Sequence, residues 1–159
     1  MTTTDDVTVE VDRDRISATG VAAAPPAAVF DLLRRPANHQ VISGDGTVKG
    51  TLEGPEVLEL GSKFGMRMRV GVPYRVHSKV TAYEQDHLIA WRHFGGHEWR
   101  WTLEPTDNGR STVVTETFDM STARLPPALR LFGYPERHRD NVVGSVTKLI
   151  ALAVTAGNG

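Results

Sequence analysis

All three tryptophans of the chain and two of its six histidines fall within eleven residues, Trp91 to Trp101 (WRHFGGHEWRW). An acid, Glu116, stands further on in the alternating run VVTETF. A carboxyl held among apolar and aromatic side chains favours its neutral form and can donate or abstract a proton near neutral pH. A histidine such as His93 is the natural partner in acid–base work. Glu116 and His93 are therefore the candidate catalytic residues. The strand phase decides the matter for Glu116: if Val114 and Phe118 share its face it points inward, and if Val113 marks the inner face it is a plain surface acid.

Other chemistries fit less well. His93 and His97 face each other across a short loop, but a zinc site needs a third or fourth ligand from Cys, His, Asp or Glu. The chain has no cysteine, and Glu98 points to the opposite strand face. The metalloprotease pattern HExxH fails too, because Trp99-Arg100-Trp101 follows His97-Glu98 on a strand. No metal is expected. Gly54 to Gly61-Ser62-Lys63 lacks the spacing and order of a phosphate-binding loop, and neither GxGxxG nor GxSxG occurs. No cofactor is expected, and serine-hydrolase or kinase-like chemistry has no support. Without cysteine, disulfides and thiolate catalysis are excluded.

The elements that position these residues are mostly strands. A two-residue Gly95-Gly96 loop would set Trp91 opposite Arg100. A three-residue Phe94-Gly95-Gly96 loop pairs His93 with His97, Trp91 with Trp99 and Ile89 with Trp101. The second register collects Ile89, Trp91, His93, His97, Trp99, Trp101 and Leu103 on one face and Arg92, Glu98, Arg100, Thr102 and Glu104 on the other. Burial selects the register that segregates the faces, and Gly96 supplies the left-handed residue that such loops favour. Before the hairpin, Phe64, Met66, Met68 and Val70 alternate with Gly65, Arg67 and Arg69. Gly71-Val72-Pro73 reads as a turn, and Val76, Ser78, Val80 and Ala82 alternate with charged and polar partners.

Towards the N-terminus, residues 7–11 and 15–22 read as a first strand. Two short helices follow, over AAAPPAAVFDLLRRP and ANHQVI, with Pro25 and Pro26 suited to a first helical turn and Pro36 as a stop. Pro126-Pro127 precede one or two helical turns in ALRLFG. From about Pro135 to Val154 the period becomes helical, with Val142, Ser145, Val146, Leu149, Leu152 and Ala153 on one stripe. This order describes an α+β fold with helices gathered on one face of an antiparallel sheet.

Length and composition, 159 residues with 40% hydrophobic and 23% charged, suit one globular domain over 1–159. The opening MTTTDDVTVEV has neither the basic nor the apolar region of a signal peptide. No run is long enough to span a bilayer, so the expectation is a cytoplasmic protein, monomer or homodimer. A net charge of −1 argues against a general nucleic-acid binder. The charge is uneven, with seven Lys/Arg against three Asp/Glu over 61–100. Arg67, Arg69, Arg75 and Lys79 thus form either a solvated outer face or a surface for an acidic partner.

Three indoles on one sheet face, opposite a helix offering Val, Ser, Leu and Ala, either fill a core or wall a pocket. The segments AAPPAAVFDLL, ELGSKFGMRMRVGVPYRV, LIAWRHFGGHEWRWTLEP and STVVTETFD resemble the START-like helix-grip superfamily, and within it the SRPBCC group labelled polyketide cyclase/dehydrase. The resemblance spans nearly the whole chain. It implies a seven-stranded antiparallel sheet curled around a long C-terminal helix, two short helices after the first strand, and a largely apolar cavity between sheet and helix. Members bind lipids, sterols, polyketides or hormones, and some act as cyclases or aromatases. The expected ligand is a hydrophobic or aromatic, lipid- or polyketide-like small molecule. The expected ligand-binding residues are Met66, Met68, Tyr74, Trp91, His93, Trp99, Trp101 and Phe118 on the sheet, with Val142, Ser145 and Leu149 on the helix. For Tyr74 an exposed strand end is the competing reading, and His138, one turn before Val142, either overlooks the cavity mouth or sits half-exposed. The alternatives to a binding protein are a cyclase or dehydratase using Glu116 and a histidine, and a partner-binding module using the basic outer sheet.

Overall fold

The computed structural model describes residues 6–44, 46–93, 96–122 and 138–157. Strand β1 (Thr8–Val11) turns at Asp12-Arg13-Asp14 into β2 (Arg15–Ala22), with the Asp12 N–H donating to the Arg15 carbonyl at 2.8 Å. In β2, Ile16, Ala18 and Ala22 are fully buried and alternate with polar or exposed neighbours, the period of a half-buried strand. Helix α1 (Pro26–Leu33) starts as the sequence predicts, with Pro25 at the cap and Pro26 in the first turn, and it buries Val29, Phe30 and Leu33. A 3-10 turn (Pro36–Asn38) leads into the single turn α2 (His39–Ile42).

Six further strands follow: β3 (Val48–Glu53), β4 (Lys63–Val70), β5 (Val72–Glu84), β6 (Leu88–His93), β7 (Glu98–Thr106) and β8 (Ser111–Asp119). They form one antiparallel sheet in the order β1-β2-β8-β7-β6-β5-β4-β3. The sheet has eight strands, one more than the resemblance implies. The extra strand arises because three consecutive charged residues break the run 7–22 into a hairpin, so what reads as one first strand is two. Helix α3 (Arg139–Gly157) closes the chain. Residues 135–137 and the turns expected after Pro126-Pro127 lie outside the described residues. Among the described residues no helix is long and apolar enough to cross a membrane.

How α3 lies on the sheet determines where space remains. The helix packs chiefly over β2 and, to a lesser extent, β8. There Val142, Val146, Leu149 and Ala153 are fully buried. Gly20 of β2 permits the approach: a Cβ at that position would come within 2.7 Å of the Ile150 Cδ1. Another face of the same turns of α3 is held by the loop after α2. The Gly44 N–H donates to Ser145 Oγ at 3.1 Å, and Lys148 Nζ donates to the Ser43 carbonyl at 2.7 Å. The two backbones touch there, since a Cβ on Gly144 would stand 2.9 Å from the Gly44 Cα. With α3 seated at the β2 side, the large inner side chains of β4, β6 and β7 face a gap.

Candidate functional site

The tryptophan hairpin adopts the three-residue register. Trp91 pairs with Trp99 and Ile89 with Trp101. The Gly96 N–H donates to the His93 carbonyl at 2.9 Å, the His93 N–H donates to the His97 carbonyl at 3.3 Å, and Gly96 has φ 87°. The faces therefore segregate. Glu98, on the outer face, is clamped between Arg92 at 3.2 Å and Arg100 at 2.8 Å, while the indoles face α3.

Between them lies a cavity of about 110 Å³. Its apolar wall comes from Phe64, Met66 and Met68 on β4 and from Trp91, Trp99 and Trp101. Its polar groups come from His39, Ser43, Thr47, His93, Glu116, Asn141 and Ser145. Glu116 is 4% exposed, and Ala18 on β2 and Trp101 on β7 stand directly across from it. Val114 and Phe118, two residues to either side of it, are fully buried. The inward phase of VVTETF is thus the one adopted, and the carboxyl sits among apolar neighbours at the cavity wall.

His93 is fixed from the neighbouring strand. Ser78 is directly opposite it on β5, and Ser78 Oγ and His93 Nδ1 share a hydrogen bond at 2.6 Å. That bond sets the orientation of the ring and leaves Nε2 to complete the donor–acceptor pair of the neutral imidazole. Burial pushes the His93 pKa down to about 3, with His97, His138 and His39 adding repulsion to any charged form. The His97 pKa is also lowered by burial, and the His93 and His97 rings lie 5.1 Å apart. Among the described residues no group of three His, Cys, Asp or Glu side chains is arranged to hold a metal ion.

The remaining candidates take different places. Phe118 packs against Trp99 with ring centroids 4.6 Å apart, and the ring of His138 meets both, 4.3 Å from Phe118 and 5.6 Å from Trp99. Phe118 supports the wall without lining the cavity. Val142 and Leu149 are fully buried where α3 meets the sheet, also outside the lining, because the helix is seated directly on β2 there. Tyr74 is opposite Met68 but 44% exposed, at the tip of the β4–β5 hairpin and beyond the cavity. Met66, Met68, Trp91, His93, Trp99, Trp101, Glu116 and Ser145 are the candidates that the fold brings around one space.

Of the polar lining residues, the sequence does not single out His39, Ser43, Thr47 and Asn141. The His39 ring stacks on Trp91 at 4.9 Å, meets Phe64 edge-on at 5.7 Å, and donates from Nε2 to the Leu33 carbonyl at 2.9 Å. Burial pushes its pKa down to about 4, partly opposed by that hydrogen bond. The available signal was its i, i+3 spacing to Ile42 in one helical turn.

A curved antiparallel sheet holding a long C-terminal helix, with an internal cavity between them, defines a START-like helix-grip protein. Residues 13–151 match the family described as polyketide cyclase / dehydrase and lipid transport, and the chain belongs to that family. It is 41% identical over 150 residues, 91% of its own length, to the uncharacterized protein Rv0088 of Mycobacterium tuberculosis (strain ATCC 25618 / H37Rv). The chain spans 65% of the length of that relative. Among solved structures it is similar to a protein from Arthrobacter aurescens, with TM-score 0.72 and 15% identity over 94% of this chain and 92% of the other. It is likewise similar to NE0264 from Nitrosomonas europaea, with TM-score 0.70 and 15% identity over 94% of this chain and all of the other (100%). Identities this low carry the fold alone.

Proposed function

We propose that the chain binds a small hydrophobic or aromatic molecule in the cavity between sheet and α3. The observation that supports this most is the composition of the lining, three indoles together with Glu116 and two histidines held neutral by burial. Indoles offer flat apolar area, and a few convergent polar groups orient what lies against them. Size narrows the class. Cavities of roughly 150 Å³ hold benzene, so at about 110 Å³ a single ring is the upper limit and enters only if the wall gives slightly. A fused polyketide or a lipid chain would need the gap between α3 and β4 to open. Titrating the protein with phenol-sized and naphthol-sized aromatics and reading Trp emission tests the proposal. Saturable quenching that weakens with ligand size supports it, and an emission spectrum unmoved by either series rejects it.

A second reading, an enzyme of cyclase or dehydratase type, draws on Glu116 and His93 lining the same cavity. A carboxyl and a neutral imidazole on one apolar space are the groups needed to remove a proton beside a carbonyl and to deliver one to an oxygen. Loss of turnover without loss of affinity on changing Glu116 separates this reading from a carrier.

A further inference from the structure

We infer that the β4–β5 hairpin docks tip-first on an anionic lipid bilayer surface. The hairpin turns at Gly71, with φ 70°, and the residues just past the turn are Val72, 72% exposed, the exposed Pro73, and Tyr74, 44% exposed. Gly71 and Pro73 are ordinary turn residues, but Val72 and Tyr74 beside them are not. With Pro73 between them, these two give the tip an apolar and aromatic edge that is exposed to water.

Behind the tip the outer face is basic in a way that costs stability. Arg67 stands directly across from Arg75, and further along Lys63 stands across from Lys79. Like charges directly opposed on a sheet destabilise it. Among the described residues none of Arg67, Arg69 and Arg75 forms an ion pair. On the same face Arg92 and Arg100 share Glu98. An anionic partner would relieve the repulsion that the fold leaves in place.

The apolar tip decides which anion. A nucleic acid or an acidic protein would answer the arginines and leave Val72 and Tyr74 in water. A bilayer answers both: tyrosine and small apolar side chains favour the interfacial zone, and arginines are attracted to anionic headgroups. The spacing suits this. Arg69, Arg75 and Arg67 lie two to four residues from Gly71, roughly 7–13 Å along the strands at about 3.3 Å per residue, and their long side chains reach back towards the headgroups. Met68, paired with Tyr74, lines the cavity. Docking therefore sets the cavity rim against the layer in which apolar molecules concentrate.

The test is co-sedimentation of the full chain with vesicles of phosphatidylcholine alone or of phosphatidylcholine with phosphatidylglycerol. Binding is expected only with phosphatidylglycerol, and it should weaken as salt is raised. Each arginine near an anionic surface is worth about a fivefold change in binding. An Arg69→Gln/Arg75→Gln variant should therefore lose about tenfold or more, and a Val72→Ser/Tyr74→Ser variant should lose binding with its arginines intact. All four positions are exposed, and an unchanged melting temperature would show that the fold is retained. Equal binding to uncharged vesicles, no binding to either kind, or full binding by the Val72→Ser/Tyr74→Ser variant overturns the inference. The last result would leave a purely electrostatic surface for an acidic macromolecule.

Discussion

Ser78 Oγ and His93 Nδ1 meet at 2.6 Å from directly opposed positions on β5 and β6. The contact ties the orientation of a cavity-lining imidazole to a buried hydroxyl on the next strand. It makes Ser78 a positioning residue for whatever His93 does. Replacing Ser78 with alanine removes the partner of Nδ1. Leaving a buried polar group unsatisfied costs about 1–3 kcal/mol. The Ser78→Ala protein should unfold at correspondingly lower denaturant, and the imidazole nitrogen resonances of His93 should report a changed tautomer balance. Wild-type values on both counts would show that the hydroxyl does not hold the ring.

His39 sets an expectation for pH. Burial keeps its ring neutral in the folded protein down to about pH 4, whereas in the unfolded chain the imidazole titrates near 6.5. Between those values the unfolded state binds the additional proton, so stability rises with pH. The contribution is whole above about pH 6.5, falls away as pH drops towards 4, and levels off below that. Its full size is on the order of 3 kcal/mol. His93 and His97, also shifted down by burial, act in the same direction. They remain in a His39→Phe variant, so the difference between the two proteins isolates His39. Urea unfolding of both across pH 7 to 4 should show a shallower slope for the variant, and parallel slopes would contradict the neutral buried ring.

Much of this arrangement was legible in the chain, because segregation of faces is a strong constraint. Trp91, Trp99 and Trp101 cannot share the core face unless the hairpin adopts the three-residue register, and that register is the one found. The phase of β8 was ambiguous, since Val113 and Val114 are both apolar and either can start the inward series. Packing resolves it, with Val114 fully buried and Val113 only partly so. His39 was not legible as a wall residue, because its stacking partner Trp91 lies on a different element with half a sheet between them in sequence. Tyr74 follows the inward alternation of Val76 and Ser78, but the hairpin carries it past the cavity. Periodicity assigns a face, not a distance along it.

Gly144 offers a test whose sign is diagnostic. A glycine inside a helix normally costs about 1 kcal/mol relative to alanine, so Gly144→Ala would ordinarily stabilise α3. Here the added Cβ would stand 2.9 Å from both the Cα and the carbonyl oxygen of Gly44, which are backbone atoms that cannot rotate away. The helix must lift from the loop that closes the cavity, and overpacking of this kind costs about 1–3 kcal/mol. The expected result is a lower melting temperature together with weaker ligand binding. A higher melting temperature would mean that the Gly44–Gly144 contact is looser than described.

If the chain performs chemistry, Glu116 should carry the proton. Among the described residues it is the acid that borders the cavity. Glu84, Asp86 and Asp107 sit at strand ends or turns, the latter two with φ of 62° and 52°. Glu98 is clamped by Arg92 and Arg100 on the outer face, and Asp119 is bound to Arg15 at 2.7 Å. Glu116 is instead flanked by Val114 and Phe118, faces Ala18 and Trp101, and shares the cavity with the neutral ring of His93. An acid–base group of this kind is typically worth about 10²–10⁴-fold in rate. Glu116→Gln keeps the size of the side chain and one hydrogen-bonding oxygen while removing the transferable proton. With a short poly-β-keto thioester as substrate, turnover should fall by about that factor while affinity for a phenol-sized ligand stays close to wild type. A fall in affinity alone would make Glu116 a binding group. Undiminished turnover in the variant would remove it from the chemistry.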